Sequence, residues 1–269
     1  MHSAEQSNPS ATLWQGQNGR LELSGGIVSK YPKTAGGAAA LAQEAQVLRC
    51  LRGLLPLDIP RPLDDSGLSY PCLPGAPLTL QVFKSLQPQR RGAVAAQAGA
   101  FLRAMHGLPP ALLDGLVLPD ADTARHWQDF YGKVSALLFP HFRTDAVEAV
   151  RWSFVRFLNR KSNFTVEPVV LHGDFGPTNL LYEEETGTVR VVDFGSVRLG
   201  DPAADIAALM GPRGYGEPFV KSLSPHYPAT PRMLERARFY AQTFALEQAL
   251  WGLEHGDKEA FEDGIHKYL

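Results

Sequence analysis

Between residues 169 and 193 short apolar runs alternate with polar turns, and this stretch carries the clearest pattern in the chain. Val169, Val170 and Leu171 read as a strand that opens into His172, Gly173 and Asp174. Val189 to Val192 reads as a second strand that ends directly in Asp193. The turn-rich residues 183–187 lie between two apolar runs and predict a hairpin, which sets Asp193 beside Asn179 at its open end. Gly176 and Pro177 bend the backbone between Asp174 and Asn179, bringing those two side chains to one place.

Residues 11–33 are also strand-like, broken at 15–19 and again at Ser24-Gly25-Gly26. The second break, between Leu21-Glu22-Leu23 and Ile27-Val28, predicts a hairpin turn. A helix follows, with Leu41, Ala45, Leu48 and Leu51 on one stripe and Glu44 on the same stripe. A carboxylate there needs a cation, because burying an unpaired charge is costly; Lys30 is the first choice and Lys33 the alternative.

The rest reads as mainly helical. Val94, Ala98, Phe101 and Met105 mark one face of a helix ended by Gly107-Leu108-Pro109-Pro110. His106, in its last turn, is favoured by the helix dipole and reads as structural. Thr123 or Asp122 caps a helix carrying Trp127, Phe130, Tyr131, Val134 and Leu138. Asp145, with Glu148 three residues on, predicts a capping box for a helix through Val147, Val150, Phe154 and Leu158. Asp201 with Pro202 opens another, ended by Gly211-Pro212, and Thr230-Pro231 opens a long one that Gly256 ends. A short helix over 257–269 closes the chain.

Composition narrows the class. The 269 residues suffice for one large or two smaller domains, with 44% hydrophobic and 20% charged residues, as in folded globular proteins. A formal net charge of −2 gives no electrostatic case for nucleic acid or an anionic membrane. Cys50 and Cys72 are too few and too far apart for a metal cluster, and read as reduced, buried thiols of a cytoplasmic protein. Residues 1–10 lack the basic and apolar regions of a signal peptide and read as a disordered tail. No apolar run is long enough to span a bilayer.

Asp193 and Asn179, two neighbouring oxygen ligands, suit Mg²⁺, a hard cation that completes its shell with water and phosphate oxygens. HGDFGPTN followed by VVDFG resembles the catalytic and metal-binding segments of the aminoglycoside phosphotransferase and choline kinase-like superfamily. Asp174 to Asn179 matches the kinase pattern H-R-D-x-x-x-x-N with Gly173 in place of Arg, and Asp193-Phe194-Gly195 matches D-F-G.

That resemblance implies an α+β, bilobal protein kinase-like fold: a small antiparallel-sheet N-lobe with one helix over 11–74, and a larger, mainly helical C-lobe over 75–269. It implies Lys30 on the nucleotide phosphates, paired with Glu44. Gly16 and Gly19 lie where the phosphate-covering loop would sit, although GQNG by itself reads as a plain turn. Cys72 falls in the hinge at 70–74 that meets the base. Asn179 and Asp193 would hold Mg²⁺, Asp174 would take or orient the proton of a substrate hydroxyl, and Asp205 would brace the loop. ATP is the expected donor, with GTP also open.

Gly173 removes the kinase Arg that reads activation-loop phosphates, and the short interval from Gly195 to Asp201 leaves no platform for a protein substrate. The partner expected is therefore a small molecule bearing a hydroxyl. A polycationic aminoglycoside would want carboxylates, for which Asp120, Asp122, Asp129, Glu217, Glu247, Glu254, Asp257 and Asp263 read as ordinary surface charges. A cationic alcohol would want an aromatic cage, for which Trp127, Tyr131, Tyr240 and Trp251 are at hand. Relatives also act on sugars. Two rival readings are a nucleotide-binding module without catalysis, and nucleotidyl transfer on the same fold.

Overall fold

The computed structural model describes residues 12–15, 19–32, 35–63, 69–116 and 122–269. The N-terminal sheet is antiparallel in the order β1 (Thr12–Gln15), β2 (Gly19–Ser24), β3 (Ile27–Pro32), β4 (Ser69–Pro71). Gly25 and Gly26, at φ +57° and +77°, make the two-residue turn joining Ser24 to its partner Ile27. Both central residues of such a turn need positive φ, so glycine suits both positions. Helix α1 (Ala35–Cys50) lies against β3 and buries Leu41, Ala45 and Leu48, with Leu51 just beyond its end; Glu44 is buried on the same face.

After β4 the chain runs into β5 (Ala76–Pro77), which leaves the first sheet and pairs instead with a C-terminal hairpin of β7 (Leu180–Glu183) and β8 (Thr188–Val191). A third, two-stranded sheet joins β6 (Val169–Leu171) to β9 (Arg198–Gly200). Helices pack around these small sheets: α2 (Leu80–Ser85), α3 (Pro88–His106), α4 (Ala124–Lys133), α5 (Thr144–Leu158), α6 (Ala203–Met210), α7 (Glu217–Ser222), α8 (Pro231–His255) and α9 (Lys258–Ile265). This is the expected bilobal α+β architecture.

Thr123, not Asp122, caps α4 by accepting from the His126 amide. Thr230 and Asp257 cap α8 and α9 in the same way, and Gly256 ends α8 in the left-handed region at φ +68°. The capping box at α5 does not form. Arg143 stands at the cap position, and Asp145 pairs with the Arg143 guanidinium instead. Helix α6 begins at Ala203, and the Asp201 carboxylate accepts from the Ala203 amide.

The aromatic residues fill the C-terminal core. Trp127 is buried and stacked on Tyr240 at 5.1 Å, and Phe157 on Phe239 at 3.7 Å. Tyr131 stacks on Phe154 and Trp251 on His255. An aromatic cage from Trp127, Tyr131, Tyr240 and Trp251 is therefore ruled out, because core packing already covers Trp127 and Tyr240. The cysteine reading is corrected too: both thiols are free, but Cys72 is exposed and Cys50 only half-buried. Among the described residues no helix is long and apolar enough to cross a membrane.

Candidate active site

Three chain segments converge between the sheets. On β3, the Lys30 ammonium donates to both Glu44 carboxylate oxygens, at 2.6 and 2.8 Å, and to Asp193 Oδ1 at 3.0 Å. The stripe position of Glu44 is thereby explained: its carboxylate is buried because Lys30 neutralises it, and it also accepts from the Phe194 amide at 3.2 Å. Burial alone would push the Lys30 ammonium down, but Glu44 and then Asp193 outweigh it and hold it above the ordinary lysine range. Burial pushes the neighbouring Tyr70 phenol up to about 12. Arg20 is on the exposed face, and Lys33, the alternative partner, lies outside the described residues.

The second segment is the loop after β6. Asn179 Nδ2 donates to Asp174 Oδ2 at 2.8 Å and to the Asp174 carbonyl at 2.9 Å, so one side chain fixes both the carboxylate and its backbone. Asp174 is exposed, and no lysine or arginine among the described residues forms an ion pair with it. The hairpin supplies the third segment. Leu180 pairs with Val191, and the Val192 amide donates to the Asn179 carbonyl at 3.0 Å, which sets Asp193 beside Asn179. Asp193 takes φ +65°, uncommon for a non-glycine residue, and its side chain is 54% exposed.

The loop is braced from beneath. Asp205, fully buried, accepts from the His172 amide at 2.9 Å and the Gly173 amide at 2.8 Å. His106 Nε2 donates to the same carboxylate at 3.0 Å, and the Tyr227 hydroxyl lies 2.7 Å from Nδ1. Burial pushes Asp205 up, but these donors together outweigh it and hold its carboxyl below the ordinary range. His106 is structural, as read from the sequence, but through Asp205 rather than through the helix dipole. His172 Nε2 donates to the Val192 carbonyl at 3.1 Å and its Nδ1 accepts from the Asp174 amide at 3.3 Å, which ties the loop to the hairpin. Gly173 sits at φ +83°, and a Cβ there would lie 2.0 Å from the Ser196 carbonyl oxygen. Glycine at this position is a steric requirement as well as the absence of an arginine.

Other sequence candidates fall elsewhere. Gly19 pairs with Pro32 as the first residue of β2, not in a loop, and Gly16 lies outside the described residues. The Cys72 amide donates to the Gly26 carbonyl at 2.8 Å, so that amide is already committed within the protein. Of the presumed surface carboxylates, Asp122 is buried against Arg198, and burial pushes its carboxyl up. Glu247 accepts from the Thr243 hydroxyl at 2.8 Å, and desolvation pushes its carboxyl up as well. Nothing in the local pattern pointed to Asp122, Arg198 or Tyr227. His172 alone had a signal, as the first residue of the H-G-D run.

The donor set suits a hard divalent cation. Asn179 Oδ1 remains when Nδ2 donates to Asp174, and Asp193 Oδ2 remains when Oδ1 takes Lys30. Among the described residues no three His, Cys, Asp or Glu side chains form a metal cluster. Two oxygen ligands with water and phosphate oxygens are the ordinary Mg²⁺ arrangement.

Comparison with known proteins agrees with this geometry. The family model "Phosphotransferase enzyme family" matches residues 12–255. Viomycin phosphotransferase of Streptomyces vinaceus is 32% identical over 268 residues, covering 94% of this chain and 91% of that protein. Among solved structures, the GDP and kanamycin complex of the aminoglycoside phosphotransferase APH(2")-IIia superposes with a TM-score of 0.88 at 19% identity, over 98% of this chain and 93% of that one. A macrolide 2'-phosphotransferase of type I gives 0.77 at 22% identity, over 97% and 91%. With a kinase-like fold and a family match over most of its length, the chain belongs to the phosphotransferase enzyme family.

Proposed function

We propose that this small-molecule kinase moves the γ-phosphoryl group of ATP or GTP to a hydroxyl of an antibiotic-like acceptor, with viomycin the first candidate. The observation that carries this reading is the exposed Asp174 carboxylate, fixed by Asn179 and without an ion-pair partner among the described residues, in a loop tied to the hairpin whose Asp193 joins the Lys30–Glu44 pair. Lys30, oriented by Glu44, binds the nucleotide phosphates. Asn179 and Asp193 would hold Mg²⁺, which supplies charge neutralisation on the phosphates when bound. Asp174 accepts or orients the proton of the attacking hydroxyl. Little covalent chemistry is asked of the protein, because a loose phosphoryl-transfer transition state is served chiefly by positioning and electrostatics.

The hinge marks the boundary between lobes at residues 74 and 75, since β5 directly after it belongs to the C-terminal sheet. With the Cys72 amide bound to Gly26, the Leu73 amide is the hinge donor left for the nucleotide base. A cytoplasmic setting is our reading, supported by a nucleoside triphosphate donor and two free thiols.

The test is to incubate the protein with Mg²⁺, ATP or GTP, and each of viomycin, kanamycin, gentamicin, streptomycin and a macrolide, with mass spectrometry of the products. A nucleoside diphosphate together with an acceptor heavier by one phosphoryl group supports the reading. Pyrophosphate would mean nucleotidyl transfer, and nucleotide binding without turnover of any acceptor would mean a non-catalytic module.

A further inference from the structure

The peptide unit between Gly173 and Asp174 sets the direction of the Asp174 side chain, and it is gripped from both edges. Its N–H, on Asp174, donates to His172 Nδ1. Its carbonyl, on Gly173, accepts from Arg198 Nη1 at 3.4 Å. Arg198 belongs to β9 and stands directly opposite Leu171, the last residue of β6, so it lies under the point where the strand opens into the loop. The contact is close: a Cβ on Gly173 would come within 2.9 Å of Arg198 Nη1.

Arg198 is itself held from the far side. Asp122 Oδ2 lies 3.6 Å from Arg198 Nη2, with both side chains largely buried, at 18% and 8% exposed for arginine and aspartate. The same oxygen accepts from the Asp201 amide at 3.2 Å. It also presses on Gly200, where a Cβ would meet it at 2.4 Å. Asp122 takes φ +65° in doing so, a conformation that a non-glycine residue adopts at some cost. The Arg198 Nε is buried without a hydrogen-bond partner among the described residues, so the guanidinium is placed for its two terminal nitrogens and not for full satisfaction. The kinase pattern has an arginine at position 173; here a glycine is required there, and the cation reaches the same loop from β9.

We propose that Arg198, anchored by Asp122, is a positioning residue for phosphoryl transfer: it clamps the Gly173 carbonyl and so fixes the direction of the Asp174 carboxylate. The kinetic part of this inference rests on the phosphotransferase reading; the structural part does not. A cation at that carbonyl resists rotation of the peptide. Without it the loop keeps its N–H bonds to Asp205 but loses the contact that opposes them.

The experiment uses the full chain with Arg198→Met, Arg198→Lys, Asp122→Asn and the double variant Arg198→Met with Asp122→Asn. Hydrogen–deuterium exchange is followed in peptides spanning 169–176, together with MgATP hydrolysis in the absence of acceptor and affinity for a fluorescent ADP. Arg198→Met is expected to speed exchange in that stretch and to lower kcat by about 10- to 100-fold, the scale on which a displacement of about 1 Å is felt. ADP affinity should stay within about twofold. Arg198→Lys should recover part of the rate, since a single ammonium reaches one of the two partners but not both. The double variant should be no worse than Arg198→Met, because the two residues act as a unit. The near-isosteric Asp122→Asn serves if Arg198→Met folds poorly, and should shift exchange and rate in the same direction. Unchanged exchange at 169–176 in both single variants would overturn the clamp, as would additive rate losses or an equal fall in ADP affinity. A wild-type chain that hydrolyses no nucleotide would count against the phosphotransferase reading, while the exchange measurement would still decide the clamp.

Discussion

Replacing Asp205 by Asn changes one atom's chemistry and no volume, so its effect measures what the charge and its second acceptor oxygen do for the loop. In the wild type, Oδ2 accepts from the His172 amide and His106 Nε2, and Oδ1 accepts from the Gly173 amide. An asparagine has a single acceptor oxygen. Placed at the Oδ2 position, it keeps two of the three bonds and turns its amide N–H toward the Gly173 N–H. The opposite orientation loses two bonds and is worse. The loss comprises a charge-assisted hydrogen bond, about 1.5–3 kcal/mol, and a buried donor left without a partner, about 1–3 kcal/mol. A destabilisation of about 4 kcal/mol follows, a large part of a total stability of about 5–15 kcal/mol. At about 2–4 °C per kcal/mol for a chain of this size, Tm should fall by about 8–16 °C.

The loss should also depend on pH. The folded pKa of Asp205 lies below its unfolded value of 3.8. Its stabilisation is therefore fully present above that value and fades as pH falls through the depressed folded pKa. The gap between wild type and variant should be widest at neutral pH and narrow in acid. Differential scanning calorimetry at several pH values measures the gap, and turnover below Tm measures the loop, with kcat expected to fall on the order of 10²-fold if Asp174 moves by about 1 Å. A variant within about 1 kcal/mol of wild type at neutral pH, with kcat within about threefold, would refute the argument that Asp205 organises the loop.

Asp174→Ala should lower single-turnover rate by about 10²- to 10⁴-fold while leaving nucleotide affinity nearly unchanged, since the carboxylate acts on the attacking hydroxyl; equal losses in both would make it a turn residue. Asp193→Asn, or removal of Mg²⁺ by EDTA, should abolish turnover while circular dichroism stays native, and restoring Mg²⁺ should rescue the treated wild type but not the variant. Gly173→Ala should destabilise the fold by about 1–3 kcal/mol from its positive φ alone, and by more because its Cβ would meet the Ser196 carbonyl; a thermal melt identical to wild type would show that the loop relaxes freely.

Sequence alone determined the parts of this molecule that close over short distances. Asp174 and Asn179 meet across one turn, and Asp193 reaches them through a hairpin whose apolar runs and turn residues are written in order along the chain. Glu44 announced its need for a cation by standing on an apolar stripe, and the kinase-like pattern supplied Lys30. Helix ends at Thr123, Thr230 and Gly256 were legible because capping is decided within a few residues. The tertiary structure decided everything that depends on partners brought together by packing. His106 reaches Asp205 from α3, and Tyr227 reaches His106 from the turn before α8, so no local pattern joins the three. Asp122 looked like a surface charge or a cap, yet β9 buries it against Arg198. Trp127 and Tyr240 looked available for a ligand, yet each covers the other's face. Cys72 was placed at the nucleotide edge, but the Gly26 carbonyl in the β2–β3 turn had already taken its amide. Periodicity tells which side of an element faces inward; it does not tell which group from another element will be waiting there, and for a buried polar side chain that partner decides its role.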